Sequence, residues 1–365
     1  MKNSNTDPTR NTIGLDLSDR TSTYCEITPK GQRDRMGQLS STPSAFLKHF
    51  GSIPPALVAL ETGTHSRWAS QVIRSCGHEV LVGNARELKP IFQSMKKTDR
   101  SDAEKLARLA RADRQLLHPI ELRNDEAQID LTTLRARASL IEARTKLVLV
   151  VRGLVKPTGK RIPSCSAPSF HYRAAEAMPE ELAPALNPIL ETISTLTAKI
   201  NDYDRQVEAI SEQRYPETKI LKQVPGVGPI TALAFILTIG DPHRFARSRN
   251  VGAYFGLTPR KDDSGDSEPQ LRITKAGDTC VRTLLVSAAH YVLGPFGPDS
   301  DLKRFGEALY RRGGKNAKKR AVVAVARKLA VILHRLWITG EAYRPLRIQK
   351  GSPAKTGGNA GGPHA

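Results

Sequence analysis

Four acidic residues lie where their carboxylates could meet in the folded chain: Asp16, Glu61, Asp99 and Asp102. Asp16 interrupts an apolar run that is typical of a strand, and Glu61 ends a second such run. The other two acids are three residues apart, a spacing that places them on one face of a helix. An acid inside an apolar strand is costly unless a cation or strong donors compensate it, so these positions indicate a cation site.

Carboxylates that converge from strand ends and a helix suit Mg²⁺, which prefers hard oxygen ligands. Two such ions can activate the attacking oxygen and stabilise the leaving oxygen of a phosphodiester. Taken one at a time, the acids have simpler interpretations: Asp16 as a turn residue, and Asp99 and Asp102 as helix caps. The metal hypothesis therefore depends on the fold bringing all four together.

The segments around these acids alternate between strand and helix patterns. Residues 12–28 predict two strands joined by a polar turn, and the apolar run at 56–61 is typical of a strand buried on both faces. The other predicted elements are a short strand near 35–40, a helix at 66–76, a strand at 79–82 and a polar helical segment at 87–112. This alternation predicts an α/β domain over residues 12–115, after a disordered segment at 1–11.

Two long helices are predicted next, in a helical arm over residues 116–217 with a Pro- and Ser-rich loop at 156–170. The second helix carries apolar residues at alternating spacings of four and three, the pattern of a coiled coil. These residues are Ile189, Ile193, Leu196, Ile200, Tyr203, Val207 and Ile210. The pattern predicts a helical hairpin whose seam either joins a second copy of the chain or packs within one chain.

A compact, mostly helical domain is predicted over residues 218–345, followed by a disordered tail at 346–365. Its segment at 221–232 has the form of a helix–hairpin–helix turn. Gly226 and Gly228 would allow close backbone approach, so that their N–H groups and the following helix N-terminus could hold a nucleic-acid phosphate. A plain turn between two helices is the alternative.

Positive charge is concentrated near the C-terminus. The chain has 365 residues, with 56 Lys and Arg against 36 Asp and Glu, and 14 of these cations lie in residues 301–350 against three acids. The densest group, the basic turn, comprises Arg311, Arg312, Lys315, Lys318, Lys319 and Arg320. Such a field favours a nucleic-acid partner, although a solvated helical face would carry the same residues.

Composition also argues against several protein classes. The longest apolar run near the C-terminus contains Arg327, Lys328, His334 and Arg335, so no membrane span and no membrane partner are predicted. Residues 1–10 contain no apolar signal segment, and the four cysteines form no C-x-x-C pair that would indicate zinc. We expect a soluble cytoplasmic protein.

Three motifs, GLDLSDR, ALETGT and KKTDRSDAEKLARL, resemble the blocks of the DEDD transposases of bacterial insertion sequences, the insertion sequence one-ten family. GVGPITA, FGLTPRKDDSG and RITKAGDTCVRTLLV resemble that family's C-terminal domain. The resemblance covers about residues 12–112 and 218–293. It implies an RNase H-like (RuvC-like) first domain in which the four acids bind Mg²⁺, so the expected fold class is α/β plus α.

The resemblance further implies that Ser264 is a nucleophile that forms a covalent phosphoserine link to DNA. In the same block, Lys275 and Arg282 are candidate phosphate ligands, and Thr274 replaces a serine that many relatives carry. Implied partners are donor and target DNA, a structured guide RNA encoded by the element, and further copies of the chain in a dimer or tetramer. Guided systems leave sequence recognition to base pairing, which suits a protein rich in backbone-binding charge.

Two other functions remain open at this point. One is a junction nuclease that uses the same metal site with water and needs no serine. The other is a non-catalytic DNA-binding protein, against which the intact acids argue. A sugar-kinase-like ATPase could also begin with GLDLS, but the chain lacks the Gly-rich phosphate loops that such a fold needs.

Overall fold

A computed structural model of the chain describes residues 9–88, 98–260 and 271–346. It consists of two compact units, Met1–Arg123 and Asn124–Ala365. The predicted disordered tail from residue 347 onward and the first eight residues lie outside the described ranges.

The first unit is built on one five-stranded mixed sheet. Its strands are β1 (Thr12–Asp16), β2 (Thr21–Ile27), β3 (Arg33–Ser40), β4 (Leu57–Glu61) and β5 (Glu79–Gly83). The spatial order is β3-β2-β1-β4-β5. Strand β2 pairs antiparallel with both β1 and β3, whereas β4 pairs parallel with both β1 and β5. The structure confirms each predicted strand to within about two residues, because continuous apolar runs bounded by turns are a strong strand signal.

Helices cover both faces of this sheet. They are α1 (Pro43–Phe50), α2 (Ser66–Ser75), α3 (Ala85–Leu88) and α4 (Asp99–Ala112). Since successive side chains of a strand point to opposite faces, Ile13 and Leu15 pack with the core on the α1 and α2 side. Ala59 packs instead on the opposite face, against Leu106 of α4.

Helix α4 lies directly on β1 at Gly14. A Cβ atom on Gly14 would lie 2.0 Å from the Ala103 carbonyl oxygen and 2.5 Å from the Ala107 nitrogen. Only a residue without a side chain allows this approach. The contact fixes where the first turn of α4 lies relative to the end of β1.

The second unit is built from helices in its described residues. These helices are α5 (Asp125–Val155), α6 (Phe170–Ala177), α7 (Ala183–Gln213), α8 (Thr218–Leu221), α9 (Pro229–Ile239), α10 (Val251–Tyr254), α11 (Thr279–Leu293), α12 (Asp301–Arg311) and α13 (Ala317–Thr339). Helix α9 is buried from Thr231 to Ile239 and forms the centre of a core shared with α11 and α13. No helix of the described residues is long and apolar enough to cross a membrane.

In the helical arm, α5 and α7 run antiparallel, since Arg144 donates to Thr197 and Arg137 pairs with Asp204. Three seam positions, Ile193, Ile200 and Val207, are buried within a single chain. The structure thus packs the predicted seam intramolecularly against α5 and α6. Heptad spacing alone does not specify whether the partner helix belongs to the same chain.

Candidate active site

Asp16 and Glu61 end neighbouring parallel strands. The register pairs Leu15 with Leu60, so the two acids are the next residues along β1 and β4. Neighbouring strands lie about 4.8 Å apart. Alternate residues of a strand point to the same face, so Asp16 shares a face with Gly14 and Glu61 shares one with Ala59. Both acids are therefore on the face that α4 covers. Both are partly buried.

Asp99 and Asp102 occupy the first turn of α4, which Thr98 caps by accepting a hydrogen bond from the Ser101 N–H at 3.2 Å. Asp102 begins the buried stripe of the helix and is only 8% exposed, with Lys105 Nζ at 3.6 Å from its Oδ1. Asp99 is exposed. Helix α4 approaches β1 at Gly14 through Ala103, the residue after Asp102, and Gly14 lies two residues before Asp16.

The donor set at this edge suits a hard divalent cation, since it consists of carboxylate oxygens. Asp16, Glu61 and Asp102 would hold such an ion, with Asp99 at the exposed side. Within the described ranges, however, no three His, Cys, Asp or Glu side chains are close enough to form a metal site. The fold makes Asp16 and Glu61 neighbours and packs α4 on their face of the sheet, but the structure does not close the acids into a ligand shell.

A histidine outside every predicted motif joins the two loops that follow these acids. His65, four residues after Glu61, pairs through Nε2 with Asp19 Oδ1 at 2.9 Å, and Asp19 lies three residues after Asp16. Trp68 Nε1 donates to His65 Nδ1 at 3.1 Å, so Nε2 carries the proton given to Asp19. No local pattern could signal this contact, because it depends on β1 and β4 being neighbours.

The two glycines of the predicted helix–hairpin–helix turn have different surroundings. Gly226 has φ +86°, and a Cβ there would lie 3.0 Å from the Ala288 carbonyl oxygen and 3.1 Å from the Tyr291 ring. Gly226 thus serves packing against α11. At Gly228, which precedes α9, a Cβ would meet nothing within 4 Å, and the residue is exposed.

Ser264 lies outside the described residues, but the backbone on either side of its segment is paired. Pro259 and Ile273 form an antiparallel bridge, and Thr274 N–H donates to the Thr258 carbonyl at 2.9 Å. Beneath them, a Cβ on Gly256 would lie 2.2 Å from Ala276 N. Residues 254–260 and 271–277 thus form one tightly packed neck.

Arg282 supports this neck from α11. Its guanidinium donates to the carbonyl oxygens of Phe255 at 3.2 Å and Ala276 at 2.8 Å, and to Thr279 Oγ1 at 2.9 Å. These contacts give Arg282 a structural role besides the predicted phosphate contact. Lys275 is exposed in the neck, with φ +54°, and its N–H donates to the Gly256 carbonyl.

The basic turn connects α12 to α13. All six cations, Arg311, Arg312, Lys315, Lys318, Lys319 and Arg320, are exposed. The first turn of α13 contains no acid, and its N-cap residue Asn316 makes no side-chain cap bond. Cations at a helix N-terminus are repelled by the positive end of the helix dipole, and a bound anion would offset this repulsion.

Comparison with known proteins agrees with this organisation. Residues 13–158 match a DEDD transposase family model of the IS110 group, and residues 218–301 match the model described as transposase IS116/IS110/IS902 family. The first match contains the four acids, and the second contains the predicted helix–hairpin–helix turn and the neck.

Relatives align over most of the chain. The transposase for insertion sequence element IS1111A of Coxiella burnetii is 32% identical over 345 residues, which cover 91% of each chain. A probable family 20 transposase of Pseudomonas aeruginosa is 30% identical over 305 residues, 81% of this chain and 88% of the relative. The pilin gene-inverting protein of Moraxella bovis is 31% identical over a shorter stretch of 114 residues. The chain therefore belongs to the IS110/IS116 family of insertion-sequence transposases.

Proposed function

We propose that this transposase cuts and rejoins DNA with two sets of residues, a carboxylate site in the first unit and Ser264 in the second. The observation that supports the proposal is that Asp16 and Glu61 end neighbouring strands, on the sheet face covered by the helix that carries Asp102, in a chain of a transposase family. We also propose that the first unit is RNase H-like and that residues 218–345 form the serine-bearing domain, with Gly226 and Gly228 in a helix–hairpin–helix turn.

In this mechanism, the acids Asp16, Glu61, Asp99 and Asp102 would hold Mg²⁺, which would supply positive charge beside the scissile phosphate. Ser264 Oγ bonds to phosphorus, and the bond from phosphorus to a deoxyribose oxygen breaks. The serine proton leaves to a base, and the departing oxygen gains a proton. The phosphoserine ester conserves the bond energy, so that a second DNA hydroxyl can displace the serine and rejoin the strand.

The exposed cations suit the binding that this chemistry needs. The basic turn and the N-terminus of α9 at Gly228 offer contacts to phosphate, which position a nucleic acid without specifying its sequence. We therefore propose that target choice comes from a structured guide RNA that the protein binds together with donor and target DNA. A dimer or tetramer would bring Ser264 of one copy to the acids of another, in the bacterial cytoplasm.

Trapping a covalent adduct tests the proposal. Wild-type protein incubated with Mg²⁺ and labelled element-end DNA should give a protein–DNA band that survives denaturation. Ser264→Ala should fold, bind DNA and give no adduct and no recombinants, whereas Ser264→Cys should keep a trace. Ser267→Ala, three residues away in the same segment, is the matched control and should behave as wild type.

Retained recombination by Ser264→Ala would overturn the serine mechanism. It would favour a junction nuclease that uses water at the same carboxylates. Sequencing the RNA that copurifies with the protein tests the guide: one discrete structured RNA supports it, and a random population of cellular RNA contradicts it.

A further inference from the structure

The turn between α11 and α12 presents an aromatic side chain to solvent. This aromatic turn, residues 294–298, reads Gly-Pro-Phe-Gly-Pro, and Phe296 at its centre is 83% exposed. No other large apolar side chain in the described ranges is as exposed. Single exposed apolar residues are common, so exposure alone does not indicate function.

Hydrogen bonds and close packing hold the backbone of the aromatic turn in place. Lys303 Nζ donates to the carbonyl oxygens of Gly294 at 3.2 Å and Gly297 at 2.6 Å, one on each side of Phe296. A Cβ on Gly297 would lie 2.2 Å from the Val292 carbonyl oxygen, so the turn is pressed onto the end of α11. The two prolines fix the backbone further. A rigid turn loses little entropy when Phe296 binds a partner.

The aromatic turn adjoins the glycine turn at residues 226–228. Tyr291, three residues before Gly294, is 46% exposed, and its ring would lie 3.1 Å from a Cβ on Gly226. Gly228, with open space around it, lies two residues beyond. Tyr291 therefore lies next to both the aromatic turn, through its carbonyl at Gly297, and the glycine turn, through its ring at Gly226.

Residues 343–346 complete this surface with a positive charge. Tyr343 N–H donates to Gln223 Oε1 at 2.8 Å, which attaches the segment to the residues before the glycine turn. Two residues later, the Pro345 carbonyl accepts from Asp301 N–H at 2.8 Å, next to the aromatic turn. Arg344 lies between these anchors and is exposed.

We propose that Phe296 stacks on an unpaired base of a nucleic acid whose backbone lies along the glycine turn and Arg344. Stacking on aromatic side chains is tolerant of sequence, because every base has a π-face. It is available only where a base is unpaired or a duplex step is opened. The inference rests on the proposed function only in taking nucleic acid as the ligand, since it involves neither the acids nor Ser264.

Fluorescence anisotropy with the full-length protein tests this inference. The probes are a labelled 20-nucleotide single-stranded DNA, the same sequence as RNA, and the blunt DNA duplex, all at one salt concentration. Phe296→Ser should weaken binding of the better single strand about 5- to 100-fold and leave duplex binding within twofold. Phe296→Trp should retain affinity, whereas Phe296→Leu, apolar but not aromatic, should lose it. The strand type with the larger loss identifies the source of the base.

Tyr172→Ser on α6, another exposed aromatic, is the matched control and should leave all three affinities unchanged. Unchanged single-strand binding by Phe296→Ser would overturn the inference, as would equal loss on the duplex. A fall in sedimenting mass with unchanged affinity would also overturn it, since Phe296 would then be a subunit contact. Asp102→Asn separates the two proposals: it should bind like wild type without cleaving, and cleavage by it would contradict the carboxylate mechanism alone.

Discussion

In the first unit, Asp16 and Glu61 end two hydrogen-bonded strands under a helix that touches the sheet backbone, whereas the six cations of the basic turn project into solvent from the second unit. The strands and helix that carry the acids are packed backbone against backbone, whereas the cations make surface contacts, such as those of Arg320 with the Gly313 carbonyl and Arg311 with Glu307. This difference suits the two tasks proposed for them, strand cleavage and phosphate binding. Reacting groups lose activity when displaced by about 1 Å, whereas phosphate contacts tolerate long flexible side chains.

Removing one carboxylate gives the largest expected effect. Asp16→Asn should lower strand cleavage about 100-fold or more, because the amide cannot neutralise a cation, and should leave nucleic-acid affinity unchanged. Cleavage of labelled DNA and anisotropy measure the two effects. Glu104→Gln is the control, since Glu104 lies on α4 but pairs outward with Arg33 and Arg108. If Asp16→Asn weakened nucleic-acid binding as much as cleavage, the proposed assignment of cleavage to the acids and of binding to the cations would be wrong.

Charging the arm seam should give the next largest effect. Ile200→Asp buries a carboxylate between α5 and α7 and should lower the free energy of unfolding by about 3 kcal/mol or more. Urea unfolding measures it, and sedimentation reports the mass. Lys199→Asp, at the neighbouring exposed position, should cost little. An unchanged mass supports an intramolecular seam, and a lower mass with unchanged stability would show that the seam joins subunits.

Neutralising part of the basic turn should change salt dependence more than stability. Lys318→Gln with Lys319→Gln should reduce the slope of log affinity against log salt by about 0.9 for each duplex phosphate that these lysines neutralise. The expected change is therefore a little under two. The same measurement on Lys146→Gln, an exposed lysine of α5 paired with Glu142, should give the wild-type slope. A wild-type slope in the double variant would assign these lysines to a solvated face.

The smallest effect concerns acid stability of the second unit. Burial lowers the pKa of His334, whose Nε2 donates to the Pro242 carbonyl and whose Nδ1 accepts from Ser248. A lowered folded-state pKa means that the unfolded chain binds the proton first, so stability falls as pH drops below about 6.5. The loss should not exceed about 1.4 kcal/mol per pH unit.

Thermal unfolding of His334→Gln between pH 5 and 7 checks this effect, because the amide can keep both hydrogen bonds without titrating. The variant should lose part of the acid sensitivity, and the exposed His290→Gln should retain all of it. His49, whose pKa burial also lowers, lies on α1 and contributes acid sensitivity to the first unit instead.

Local patterns predicted much of the first unit and less of the sites. The apolar run that ends at Glu61 predicts strand β4, and the alternation of strand and helix patterns along the chain predicts the order of the elements around it. By contrast, the His65–Asp19 pair and the different surroundings of Gly226 and Gly228 depend on which elements become neighbours. Similarly, the heptads showed that Ile200 faces a helix but not which chain supplies that helix. Ser264 lies outside the described residues and stays a prediction.

Gly14 has no functional group, yet it determines how closely α4, which carries Asp102, can approach β1, which carries Asp16. An ordinary contact needs at least 3.4 Å where a Cβ would have only 2.0 Å, so even one added methyl group must lift the helix off the strand by more than an ångström. The carboxylates would all survive, and their chemistry would be lost through distance alone. Inactive copies of such a transposase can therefore carry every acid intact, with the damage hidden in the spacing beneath them.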